Sequence, residues 1–242
     1  MSFEITDRIP RPTFARITGG AYLLFIVTSV LADALGHIGL GDAQQVYSSL
    51  STDSGAFRLA LVTAFASTFF FLVAAWGLFV LLRTVNPDLA LLFLLLNAVG
   101  VAIQCASLLQ LLAALQLVDP GSGLDAAQAQ SLALAAITVY RAGFVTAQLF
   151  FGTWLFPLGY LVIRSGFLPR LLGVLLILDG VGELVWFLQA FLLPAYPAIK
   201  TPGTIVGLLA EVGLALWLLV RGVKDRRADV SLSSTRTGAT AL

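Results

Sequence analysis

Long apolar runs separated by short polar punctuation make up most of this chain. Six of them reach the roughly 20 residues that an α-helix needs to cross a hydrocarbon layer about 30 Å thick. They are 17–36, 57–82, 89–117, about 130–163, 168–193 and 203–220. The punctuation is helix-entry chemistry. Asn86-Pro87-Asp88, Ser165 to Pro169 and Thr201-Pro202 set a small polar residue ahead of a proline in the first turn, where its missing N–H costs nothing, and Asp125 with Gln128 reads as a capping box for the fourth span. Short hairpins favour sequential antiparallel helices. Open strands are excluded, because lipid cannot satisfy a sheet edge. The pattern predicts an all-α polytopic bundle: an N-terminal segment 1–16, a six-helix membrane domain 17–222 and a Ser, Thr and Ala-rich disordered tail 223–242.

Within the spans, polar residues fall at helical spacing. A helix turns about 100° per residue, so positions i, i+3, i+4 and i+7 share a face. In the fifth span Leu175, Asp179, Gly182, Glu183, Trp186 and Ala190 form one stripe, and in the third Asn97, Gly100, Gln104 and Ser107 do the same. The fourth aligns Thr138, Arg141, Gln148, Gly152 and Gly159, the sixth puts Glu211 one turn from Gly207, and the first aligns Tyr22, Ser29, Asp33 and His37. Such stripes must face one another or water.

Composition sharpens the picture. Of 242 residues, 59% are hydrophobic and 11% charged, mean hydropathy is +0.95 and net charge +1, so a soluble domain and a nucleic-acid partner are both excluded, and the lipid bilayer is the expected surrounding. Arg8, Arg11, Arg16, Arg83, Arg164, Arg170 and the Arg221 to Arg236 group fall on one side of a six-span topology, while Arg58 and Lys200 lie near the other side among Asp42, Asp53, Asp119 and Asp125. By the positive-inside rule both termini are cytoplasmic. The start also imitates a signal peptide ending at Ala32-Asp33-Ala34. Cleavage there would leave five spans and destroy the charge segregation.

At about 1.5 Å rise per residue, Asp179 and Glu211 sit near the midplane, Glu183, Asp33, Arg58 and Gln104 in the outer half, and Arg141 near the outer boundary. That convergence predicts an acid-rich pocket inside the bundle, opening outward, in which these seven residues bind a ligand or ion. Each unpaired charge at a helix centre costs roughly 2.5 to 3.5 kcal/mol. Arg58 and Arg141 would offset part of that by bidentate pairing. The acids outnumber them, leaving a carboxyl to take a proton or a cation.

Chemistry beyond binding finds little support. Lone His37 argues against a zinc hydrolase and reads as a polar residue at a helix end, and Cys105 has no activating neighbour in its span. No phosphate loop, nucleophile elbow or cofactor motif occurs. Gly203-x-x-x-Gly207, Gly19-Gly20 and Gly180/Gly182 suggest close helix packing, and Pro157 a bend between Gly152 and Gly159. Trp154, Tyr160 and Tyr196 suggest interfacial anchors.

The run Arg164-Ser165-Gly166-Phe167-Leu168-Pro169-Arg170-Leu171-Leu172-Gly173-Val174-Leu175-Leu176 resembles the central loop of the bacterial membrane proteins grouped as Domain of Unknown Function 4386. Ala15-Arg16-Ile17-Thr18-Gly19-Gly20 resembles the opening of that family, and Pro202 to Gly222, with Glu211 and Trp217, its closing helix. The resemblance implies six spans and a bacterial cell membrane, and no activity. The reading that follows is a membrane protein whose pocket binds a small molecule, a lipid headgroup or a cation. Its rivals are a proton- or cation-coupled transporter and a structural or assembly subunit.

Overall fold

The computed structural model describes residues 9–223. Among them are seven α-helices and no strand: α1 Arg11–Gly36, α2 Ala43–Thr52, α3 Ser54–Leu82, α4 Pro87–Leu117, α5 Ala126–Ser165, α6 Arg170–Leu192 and α7 Thr201–Val220. All but α2 are long and apolar enough to cross a membrane. Their outward faces carry large apolar side chains, such as Val62 and Leu171, that would not remain bare in water. Residues 1–8 and 224–242, which hold half of the expected N-terminal segment and nearly all of the expected tail, lie outside the described residues.

Most spans begin a few residues earlier than hydropathy alone places them, and a side-chain cap fixes the start of three of them, whereas α1, α6 and α7 start without one and Thr201 is the first residue of α7. Asp53 accepts the Ala56 N–H, Asn86 accepts those of Asp88 and Leu89, and Asp125 with Gln128 completes its capping box. Pro169 is the residue before α6 rather than within its first turn. The short helix α2 was not expected. It is fixed by a second capping box, in which the Asp42 carboxylate accepts the Gln45 N–H and the Gln45 side chain accepts the Asp42 N–H, both at 2.8 Å. Its Val46 and Leu50, one turn apart, are buried.

The spans pack in chain order, α1 on α3, α3 on α4, then α5, α6 and α7, and α7 returns to α1 so that the six helices close a ring. Absent side chains set the closest seams. A Cβ on Gly159 would meet the Gly173 carbonyl at 2.6 Å and one on Gly180 the Gly152 carbonyl at 2.8 Å, so α5 and α6 cross at backbone contact. One on Gly182 would meet Gly203 Cα at 2.6 Å, and one on Gly207 would fall on the Asp179 carboxylate. Gly152 and Gly159 are therefore wedged against α6 on either side of Pro157, and α5 runs unbroken through that proline. They are packing contacts.

The two ends of the spanning chain meet. Arg11 donates to the Leu81 carbonyl (3.2 Å) and to Thr84 Oγ1 (2.9 Å) in the α3–α4 turn, and its guanidinium lies 5.4 Å from the centre of the Phe167 ring in the α5–α6 turn. Gly222, with φ +63°, comes back against Pro12. We call this the proximal face, and the face bearing α2 and the Gly39 turn the distal face. A large aromatic-rich core fills the proximal part, around Tyr22, Phe71, Trp154 and Leu214, and a smaller one the distal part, around Leu50, Phe57, Ile137 and Tyr140.

Candidate functional site

Between the two cores lies a cavity of about 460 Å³. Phe71, Phe151 and Trp154 wall it on the proximal side, their rings 5.1 to 5.2 Å apart by centroid across Phe71, and Ile38 and Ala64 wall it distally. Four acids reach it: Asp33 from α1, Asp179 and Glu183 from α6, and Glu211 from α7. Gln104 of α4 and Gln148 of α5 add amides, and Phe144 and Trp186 complete an aromatic side wall. No lysine, arginine or histidine is among the lining residues.

Each acid is held differently. Asp33 Oδ1 accepts the Leu40 N–H at 3.0 Å and so ties down the turn that follows α1. Glu211 Oε1 accepts the Tyr22 hydroxyl at 3.0 Å, and Tyr22 is 0% exposed, so this bond joins α1 to α7 at the seam where the ring closes. Asp179 is 2% exposed and, among the described residues, accepts no hydrogen bond. Glu183 Oε2 is sealed and likewise without a partner. Asp179 and Glu183 each lie within electrostatic reach of Glu211.

The stripes foreseen on α1, α4 and α6 do turn inward, and five of the seven residues named from the sequence, Asp33, Gln104, Asp179, Glu183 and Glu211, stand on this cavity. Arg58 and Arg141 do not, and among the described residues neither pairs with a carboxylate. The reason is helical phase. In α3 the buried positions are Phe57, Ala60 and Leu61, which leaves Arg58 outward, and in α5 Ile137, Tyr140 and Ala147 point in, which leaves Arg141 and Thr138 aside. Trp154, expected as an interfacial anchor, is 1% exposed and walls the cavity. Tyr160 and Tyr196 are exposed, as anchors are.

Three participants have no role in the sequence pattern: Tyr22 shares the α1 stripe without a partner, Trp186 shares the acidic stripe of α6, and Lys200 enters only the charge segregation. The Lys200 ammonium sits 4.5 Å above the Trp186 ring centre, within electrostatic reach of Glu183, Asp33 and Arg141. Away from the cavity, His37 caps α1 with φ +53° and its Nδ1 lies 2.7 Å from Ser49 Oγ, and Cys105 Sγ is 3.2 Å from Thr68 Oγ1. The described residues contain no group of three or more His, Cys, Asp or Glu arranged to hold a metal ion.

The chain belongs to the family described as Domain of unknown function (DUF4386), which matches residues 17–222. An uncharacterized protein of Archaeoglobus fulgidus is 37% identical over 76 residues, 31% of this chain and 44% of that protein, so the likeness spans less than half of the relative's length. No solved structure matches.

Proposed function

We propose that this member of the DUF4386 family holds a small molecule in the membrane-embedded cavity between its two cores, with Glu211, Asp179 and Glu183 as acceptors and Asp33 and Gln104 on the distal wall. The inner membrane of a bacterial cell is the setting this reading assumes. The observation that carries it is Asp179, an acid 98% buried among apolar helices that, among the described residues, accepts no hydrogen bond and pairs with no cation. A purely structural role gives such a group no compensation for desolvation, which for an uncompensated polar group runs to about 1 to 3 kcal/mol in proteins and more for a charge. An occupant that donates hydrogen bonds supplies it. A net-anionic headgroup fits poorly, since it would meet four acids and no base.

The test is a melting screen of the purified protein in lipid nanodiscs against small amphiphiles of each charge class, run beside Ser67→Phe. Ser67 is buried and lines the cavity, so a phenyl ring there occupies the space. At least one class should raise the melting temperature of the native chain and not of the filled variant. Equal responses in both, or no response in the native chain, would overturn the reading.

A further inference from the structure

We infer that the cavity selects amphiphilic organic cations, molecules with an ammonium head and an apolar body, and admits them sideways from the bilayer past α1. The inference rests on the binding reading above and deepens it.

Three independent observations converge on that class. The first is the polarity of the lining. Its charged groups are all acids, and two of them, Asp179 and Glu183, present oxygens that accept nothing from the described residues. An ammonium can answer several such acceptors at once, because it carries three donors or, when quaternary, a diffuse positive charge. The second is the aromatic wall. Trp154, Trp186 and Phe151 offer electron-rich faces, which attract cations within about 6 Å of a ring centre. The protein uses one of them already: Lys200 Nζ lies 4.5 Å over Trp186, with Glu183 in electrostatic range. A tethered ammonium thus rests at the rim of the cavity in the manner expected of a ligand inside it. Phe144, 5.9 Å from Trp186 by ring centroid, extends the same surface inward.

The third observation is the mouth. Val30 lines the cavity and is also 60% exposed, although it belongs to a spanning helix. Ala34, one turn later, and Leu40, in the distal turn, are likewise both lining and exposed. The opening therefore runs along the flank of α1 from hydrocarbon depth to the distal face. Below it the Tyr22–Glu211 bond closes α1 onto α7. A molecule with an apolar body can enter along that flank without leaving the membrane, its head finding the acids last.

Four matched eight-carbon probes test this in nanodiscs: octylammonium, octyltrimethylammonium, octanol and octanoate. Binding is read as quenching of the intrinsic fluorescence to which Trp154 and Trp186 contribute, and as thermal shift. The two cations should bind at least about tenfold tighter than octanol or octanoate. Asp179→Asn with Glu183→Gln should collapse that preference, so that the cations bind no tighter than octanol. Lys200→Met should tighten the cations severalfold and not octanol, because it removes the resident competitor. That is a change a merely structural lysine would not give.

Octanol or octanoate binding as tightly as the cations, with all binding lost in Ser67→Phe, would overturn the cation assignment and leave the cavity reading standing. Binding of no probe, or binding indifferent to Ser67→Phe, would overturn both. Adding phosphatidylethanolamine to phosphatidylglycerol nanodiscs separates the sources. Competition with octylammonium identifies an aminolipid head as the ammonium, its absence identifies a free amine, and either result supports the assignment.

Discussion

Tyr22 and Glu211 make one hydrogen bond, 3.0 Å long, at the point where the last helix meets the first. Two estimates of its worth disagree. Hydrogen bonds to charged groups in soluble proteins contribute about 1.5 to 3 kcal/mol, whereas interhelical bonds measured within membranes average about 0.6 and reach about 1.7 kcal/mol. The lower range should apply to the pairwise energy, because helices separated in a membrane still find partners for their polar groups. The geometry pushes toward its top: Tyr22 is wholly buried beside Phe25 and Phe71, and among the described residues its hydroxyl bonds Glu211 alone. Tyr22→Phe should therefore cost about 1 to 2 kcal/mol, leaving Glu211 without its donor. Glu211→Leu should cost less, since replacing a buried polar group by an apolar one of similar size removes the desolvation along with the bond. The double variant should fall short of additivity by about 1 kcal/mol. Reversible unfolding in mixed micelles on titration with sodium dodecyl sulfate, followed by tryptophan fluorescence, measures all three. Additivity within about 0.3 kcal/mol would refute the reasoning, because the bond would then carry no energy and the ring would close by packing alone.

Other expectations follow from single residues. Gly207→Ala drives a methyl group into the Asp179 carboxylate, so it should destabilise by about 1 to 3 kcal/mol and weaken octylammonium binding; a binding isotherm indistinguishable from that of the native chain would refute the contact. Asn97 is wholly buried on α4 with neither its amide nitrogen nor its oxygen partnered, so Asn97→Leu should stabilise by roughly 1 kcal/mol in the same unfolding assay, where a loss would show that the amide does necessary work. If the arginine-rich proximal face is cytoplasmic, a cysteine at Asp119 in the chain with Cys105 replaced by serine should react with a membrane-impermeant maleimide on intact cells. One at Thr84 should react only after permeabilisation. The reverse pattern would invert the orientation.

The architecture was legible because hydropathy over 20-residue windows and capping chemistry are local signals. Asn86 and Asp125 do at the helix starts what their neighbours in sequence foretell. Helix α2 was legible in principle, through Asp42-x-x-Gln45 ahead of Val46 and Leu50, but ten residues of modest hydropathy do not announce a span. The inward stripes of α1, α4 and α6 were legible by their 3.6-residue period. Phase errors entered where a charged residue sits one position from the buried face, as Arg58 does beside Phe57 and Arg141 beside Tyr140. An arginine stem reaches far enough that sequence spacing alone does not say which way it turns. Which side chain meets which across helices, Tyr22 with Glu211 or Lys200 with Trp186, was not legible at all, because those pairings depend on how the ring closes.

The same closure separates what the family segments build from what the cavity does. Ser165 accepts the Leu168 N–H on its hydroxyl, Gly166 supplies φ +71° to end α5, Pro169 precedes α6, and Gly173 admits the α5 backbone at Gly159. Thr18 fills the space that a side chain on Gly77 would need, and Gly19 lies against the Ala215 and Leu219 backbone. Each of these residues makes a turn or a seam on the proximal side. Glu211 is the exception among them, a seam residue through Tyr22 that also faces the cavity. Asp179 and Glu183 make no turn. The Gly207 seam sets backbone beside Asp179 without satisfying its oxygens. A chain selected only for closure would do as well or better with leucine at both positions, since apolar replacements of buried charged groups are often neutral or stabilising. On the function proposed above, the acids serve something that enters the ring, not the ring itself.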